Sequence, residues 1–266
     1  MSWGLKATNN FYKYKSKRAM NSKKILNSTI IAILSSVFFC LILPEKSLSQ
    51  TIELSGIIRD FQDSHPDFER EPNVDKNELN QVFKYGLDKN ITTNLLGDDG
   101  KPTYAGTSYS TTNKNNFDQW YRDVPGINQR KTHNITLDYD RSQKKYIYEN
   151  NSFFPIDNEL FGNQGRSHNY HFTYEIKANF TYIGNETFTF IGDDDVWVYI
   201  NGKKVLDIGG VHGAETASFT LNADKATELG LEEGNTYSFN FFFAERHTTK
   251  SHFRIETTIA FEEPSD

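Results

Sequence analysis

Apolar residues occupy every second position from Tyr170 to Tyr182: Tyr170, Phe172, Tyr174, Ile176, Ala178, Phe180 and Tyr182, with mostly polar residues between them. A period of two places successive side chains on opposite faces of an extended chain, so this stretch predicts one long strand with one buried face. A helix would scatter the same residues around its circumference. The pattern recurs at Phe188 and Phe190, at Phe219 and Leu221, from Tyr237 to Phe243, and at Phe253, Ile255, Ile259 and Phe261. Val196 to Ile200 is continuously apolar and reads as a central strand. Short strands with turn signals between them predict an all-β antiparallel sandwich. The abundance of Phe (21) and Tyr (14) against two Met favours sheet over helix bundle in the same way.

The segment from about Gln50 to Ser152 is less regular. Ile52 to Ile58 predicts a strand. Leu79, Val82, Phe83 and Leu87 have helical spacing and predict a helix within Asp75 to Lys89. Residues 97–116 are polar and rich in turn formers, which predicts a surface loop. Asn116 to Arg122 reads as a short helix carrying Trp120, and Lys131–Tyr139 with Lys144–Glu149 reads as a hairpin. We read this part as a loop-rich, partly helical N-terminal elaboration packed on the sandwich, so that residues 50–266 form a single domain.

Residues 1–49 have a different character. Lys23-Lys24 precede an apolar stretch from Ile30 to Leu43, and Ser47-Leu48-Ser49 supplies small residues before Gln50. That order predicts a secretory signal with a basic leader, with Met20 as an alternative start. The apolar stretch is shorter than the roughly 20 residues a bilayer span needs. Cys40 is the only cysteine, so the exported part holds no disulfide. Residues 1–49 carry eight Lys/Arg and one acid, which leaves 21 basic and 34 acidic residues and a net charge of −13. Such a surface disfavours nucleic acid and anionic membranes, both of which select a basic face. The expectation is a secreted or cell-surface protein without a membrane anchor once the signal is removed.

Asp193, Asp194 and Asp195 stand together directly before Val196 to Ile200. Three adjacent carboxylates repel one another, and Ca²⁺, which takes only oxygen ligands, is the natural ion to neutralise them. The competing reading is a solvated acidic turn. Asn201-Gly202 between two β-forming runs predicts a tight hairpin, because both residues tolerate positive φ. A two-residue turn there sets Asp194 opposite roughly Gly209. The acids and the loop Gly209-Gly210-Val211-His212-Gly213 then emerge at one end of the sheet.

Three blocks carry a family resemblance. They are Gly56-Ile57-Ile58-Arg59-Asp60-Phe61 with Ser64-His65-Pro66-Asp67-Phe68-Glu69; Gly192 to Gly202 with Asp207 and Gly209 to Gly213; and Ala244-Glu245-Arg246-His247-Thr248 with Ser251 to Thr257. Together they resemble fibro-slime domains, which are similar to the protective-antigen-type β-sandwich. In lectin members of that fold an Asp-Asp pair joined by a cis peptide holds Ca²⁺, and the ion coordinates sugar hydroxyls. The resemblance therefore implies Asp193, Asp194 and Glu245 as calcium ligands. It implies Asp195, Gly210, His212, Arg246, His247 and Trp120 as ligand-binding candidates around them. Glu245 replaces a frequent Asn and Asp195 a usual Gly. Arg246 and His247 could instead pair with acids such as Asp60 or Asp207.

The function implied is a secreted calcium-dependent carbohydrate-binding or adhesion module whose partner is an extracellular polysaccharide or glycan. The alternative is a structural matrix protein that contacts other matrix proteins and uses calcium only for stability. Zinc at His212, His247 and His252 is disfavoured, because the spacing of a zinc site is absent. An enzyme is disfavoured too. The clustered acids are adjacent rather than separated across a cleft, and neither a Gly-X-Ser-X-Gly elbow nor an exported cysteine is present. Trp197, inside an apolar strand, reads as core.

Overall fold

The computed structural model describes residues 50–71, 75–76 and 81–262. The expected signal at 1–49 lies outside the described residues. The strands expected from alternation are present. They are β1 (Thr51–Phe61), the two-residue β2 (Asp75–Lys76) and β3 (Gln81–Val82), β4 (Asn128–Asp140), β5 (Lys145–Asn150) and β6 (Phe172–Thr181). After these come β7 (Thr187–Gly192), β8 (Asp195–Ile200), β9 (Lys203–Ile208), β10 (Glu215–Thr220), β11 (Thr236–Glu245) and β12 (Phe253–Thr257). Two short helices complete the set, α1 (Lys114–Phe117) and α2 (Ala223–Leu229). Asn222 caps α2 by accepting from the Lys225 N–H, and Gly230 ends it in the left-handed conformation.

Ten strands form one antiparallel sheet in the order β10-β7-β12-β5-β4-β1-β6-β11-β8-β9. The sheet folds over on itself, so that strands far apart in that order face each other across a core. Phe253 of β12 packs against Phe241 and Phe243 of β11, and Phe188 of β7 against Phe239. The fold is an all-β antiparallel sandwich. Its N-terminal third is more integrated than the irregular sequence suggests. β1 pairs with both β4 and β6, and β5 with both β4 and β12, so these strands join the two halves of the sheet. Only residues 62–127 form the loop-rich elaboration.

Strand β8 explains its own unbroken apolar run. Val196, Val198 and Ile200 point into the main core with Phe239, Phe241 and Phe243. Trp197 and Tyr199 point the other way, into a second core with Phe61, Phe68, Phe117, Trp120 and Phe242. A strand buried on both faces loses its polar alternation. The second core is what the 62–127 loops bury, and it holds them on the outside of β8 and β11.

No helix occurs among the described residues of 75–89. Residues 75–76 pair with 81–82 as a two-strand ladder. Beyond it Gly86 donates to the Val211 carbonyl at 2.7 Å, and Asp88 N–H donates to the Gly209 carbonyl at 2.6 Å. These tertiary bonds hold the segment extended and override its helical spacing. The short helix around Trp120 is α1 itself, so Trp120 lies in the turn beyond it.

The Asn201-Gly202 turn has φ of 51° and 74°, the positive values expected of such a hairpin. A β-bulge breaks the register at Val198/Tyr199, so Val196 pairs with Ile208. The extra residue in β9 slides the return strand by one position. Asp194 therefore lies level with Gly210 rather than Gly209.

Candidate functional site

The peptide between Asp193 and Asp194 is cis. Both residues sit where β7 passes to β8, at the floor of a cleft of about 1240 Å³. His212 and His247 line the same cleft, as do Phe154 and His168. Backbone donors hold the two carboxylates. His252 N–H donates to Asp193 Oδ1 at 2.6 Å, His212 N–H to Asp194 Oδ1 at 3.0 Å and Arg246 N–H to Asp194 Oδ2 at 3.1 Å. The loop after β9 meets the acids, as the hairpin geometry predicts, and the turn after β11 joins them there.

Glu245, the last residue of β11, is 1% exposed and near enough to Asp193 and Asp194 for their charges to act on it. Neither of its carboxylate oxygens closes a well-formed hydrogen bond. Ser251 Oγ and the His247 N–H are the groups near enough to favour its charge, without such a bond. Burial pushes the Glu245 carboxyl well up, and the charges of Asp194 and Asp193 push it further. Burial also raises Asp194, to about 7, against the opposing charge of Arg246. Asp193 is raised by burial, against the donation from His252. Three neighbouring carboxyls thus disfavour ionisation, and only a positive charge among them would restore it.

Fit to a cation rests on that donor set. The oxygens of Asp193, Asp194 and Glu245 suit a hard ion such as Ca²⁺. Among the described residues, as they stand, no group of three or more His, Cys, Asp or Glu side chains is placed to hold a metal ion. This applies to the three acids, and also to His212, His247 and His252, which all line the cleft.

Four expected ligand contacts are corrected by burial. Asp195 and Arg246 are both 0% exposed and pair with each other behind the floor. Arg246 Nε lies 2.5 Å from Asp195 Oδ2, and Nη2 lies 3.1 Å from Oδ1. Neither charge could stay inside without the other. Burial pushes Asp195 up, opposed by Arg246; burial also pulls Arg246 down, but the charge of Asp195 more than restores it. The short two-pronged geometry is that of an ion pair. Gly210 donates its N–H to Asp195 Oδ1 and is buried as well. Its φ is +118°, and a Cβ there would stand 2.2 Å from the Gly86 carbonyl oxygen, so glycine is required.

Trp120 is fully buried, donates to Asp67 Oδ2 and lies under the Arg246 guanidinium at 4.8 Å, so it stacks on the protein and not on a sugar. The acids first considered for Arg246 are engaged elsewhere. Asp60 accepts from Asn169 and Phe161, and Asp207 accepts from Lys204 and Trp197.

The three sequence blocks converge at this point. Glu69 N–H donates to the Arg246 carbonyl, and Arg246 Nη1 donates to the Asp67 carbonyl. Sequence reasoning did not find Ser110, whose carbonyl also accepts from Arg246. Nor did it find Asp88, which orders the Ser110 loop by accepting from Ser108 and Ser110. Ser110 lies in the polar stretch that carries no periodic signal, and Asp88 at the end of the segment whose spacing reads as helical.

Glu69 braces the cleft wall through Thr248 and His171. Burial would raise its carboxyl, but hydrogen bonds from His171 and Thr248 and the nearby His247 outweigh that and hold it at about 2. A carboxyl whose folded value lies below its unfolded value stabilises above the unfolded value and loses that contribution on acidification. The stability of the chain is expected to fall by about 1–2 kcal/mol, discounted for residual solvent, as pH drops from 4.5 towards 2. Urea denaturation across that window should be flatter for Glu69→Gln.

Every acid of the floor lies in one continuous stretch of recognisable sequence. Residues 163–264 match the PA14 domain. The PA14 match takes in β6 to β12, and with them Asp193, Asp194 and Glu245. Strands β1, β4 and β5 and the loops carrying Asp67 and Ser110 lie outside it. Protein psiR of Dictyostelium discoideum is 38% identical over 261 residues, covering 91% of this chain and 24% of its own length. Protein psiB of the same organism is 44% identical over 147 residues, covering 52% of this chain and 26% of its own length. The chain spans about a quarter of the length of these two relatives. Among solved structures it is similar to a PA14 sugar-binding domain from an RTX adhesin. There the TM-score is 0.31 and the identity 13%, covering 67% of this chain and 93% of that one.

Proposed function

We propose that this chain is a secreted, calcium-dependent carbohydrate-binding or adhesion module, of the fibro-slime kind its sequence blocks resemble. The single observation that carries the reading is Glu245. A buried carboxylate that closes no well-formed hydrogen bond, set beside two more buried carboxylates, asks for a cation. Asp193, Asp194 and Glu245 would hold the ion. Bound calcium would supply open coordination positions for vicinal sugar hydroxyls. The protein's part is to fix the two aspartates with backbone donors and to shape a cleft above them, open to a glycan of the cell surface or matrix. Catalysis is not part of the proposal, since the acids form one cluster and not two stations across a bond.

A glycan array probed with and without a calcium chelator tests this. Binding of defined glycans that disappears with chelator is the expected result. Thermal stabilisation by calcium with every glycan unbound would overturn the carbohydrate reading and favour a structural matrix protein that uses the ion only for stability.

A further inference from the structure

We propose that Phe154 and His168 form an aromatic platform on which a pyranose ring of the bound glycan stacks; this rests on the carbohydrate reading above and names the surface that takes the sugar's apolar face. Phe154 packs against the main core, yet it and His168 both line the cleft. Phe154 is half-buried, and the His168 side chain is 36% exposed. The two rings are stacked, with centroids 4.0 Å apart and planes 10° from parallel. Tyr170 meets both edge-on, at 4.9 Å from Phe154 and 5.8 Å from His168. All three rings line the cleft that has Asp193 and Asp194 at its floor.

The platform is held in place before any ligand arrives. His168 Nδ1 lies 2.6 Å from Asp157 Oδ2, and the other Asp157 oxygen accepts from Asn169 N–H at 2.8 Å. Tyr170 Oη lies 2.9 Å from Ser167 Oγ. The platform loop is tied to the acid floor through the segment between them. Phe153 N–H donates to the Ser251 carbonyl at 2.9 Å, and the next residue, His252, donates to Asp193.

A pyranose has two chemically distinct sides. Its hydroxyl edge suits carboxylates and a hard cation, and its C–H face suits an aromatic ring. The cleft offers both surfaces. With Nδ1 held by Asp157, Nε2 is the His168 nitrogen directed to a sugar hydroxyl. A rigid surface loses little conformational entropy on binding, which favours affinity. A buried structural cluster would have no reason to leave the His168 ring open to solvent inside the cleft.

The test measures calcium affinity and sugar affinity separately on the same chain. Methyl β-galactopyranoside and methyl α-mannopyranoside are titrated by calorimetry into the wild type, His168→Ala, Phe154→Ala and His168→Phe, in calcium. The alanine variants are expected to bind the recognised glycoside about tenfold more weakly, with unchanged calcium affinity. His168→Phe, which keeps a flat ring, should retain most of the binding. Saturation transfer should enhance the sugar's ring C–H protons in the wild type and not in His168→Ala. If Phe154→Ala fails to fold, His168→Ala carries the test through its more exposed ring. Unchanged glycoside affinity in His168→Ala overturns the platform while leaving the calcium-dependent cleft intact. A wild type that takes up calcium but neither glycoside overturns the platform and the carbohydrate reading together.

Discussion

Arg246→Leu is expected to destabilise the chain by about 3–5 kcal/mol, the range for removing one partner of a buried ion pair. The guanidinium is 0% exposed and meets Asp195 with two nitrogens. It also donates to the carbonyls of Asp67 and Ser110 and covers the Trp120 ring. Its loss would leave the Asp195 carboxylate alone in the interior and two carbonyls without their donor. It would also unclip the 62–127 loops from β8 and β11, since Arg246 is the common partner of both. Urea denaturation followed by tryptophan fluorescence reads the effect directly, because Trp120 lies beneath the lost cation. Arg246→Lys should recover only a part, as a single ammonium cannot reproduce the two-pronged contact. A change below about 1 kcal/mol for Arg246→Leu would show that the pair contributes little.

Glu245→Gln is expected to move stability in opposite directions with and without calcium. Its carboxyl closes no well-formed hydrogen bond, and burial already disfavours its charged form, so the neutral amide costs little. The calcium-free variant should therefore be at least as stable as the calcium-free wild type. In calcium the wild type gains by mass action, about 2.7 kcal/mol at a hundred times the dissociation constant. For a chain of this size that is a rise in Tm of roughly 5–10 °C. The variant should lose most of this gain. Thermal melts with calcium and with chelator decide the matter. A full calcium response in Glu245→Gln would remove Glu245 from the site, whereas a destabilised calcium-free variant would mean that its carboxylate serves the fold alone.

The local code of the strands was legible because burial of one face writes itself into every second residue. Tyr170 to Tyr182 and Tyr237 to Phe243 read as strands from alternation, although the fold buries both faces over Phe172–Ile176 and Phe239–Phe243. The Asn201-Gly202 turn was equally plain, since few residue pairs accept positive φ twice. Through that turn the meeting of Asp194 with the Gly209–Gly213 loop followed from counting alone, to within one residue. The bulge at Val198/Tyr199 supplied the missing step, and no residue type announces a bulge there.

Tertiary structure decided which polar residues face solvent and which face each other. Asp193, Asp194 and Asp195 are chemically identical neighbours in the sequence. Only the packed fold turns the first two to the cleft and the third inward to Arg246. Trp120 stands among polar residues, yet it is sealed beneath that same arginine by loops with no periodic pattern of their own. Among the described residues of the segment that reads as helical, Gly86 and Asp88 are held instead by hydrogen bonds to Val211 and Gly209, far away in the chain. Alternation records how each strand meets a core, a property of a few adjacent residues. Charge pairing and loop docking depend on groups brought together from 51 to 179 residues apart, and their energies exist only once the sheet has closed.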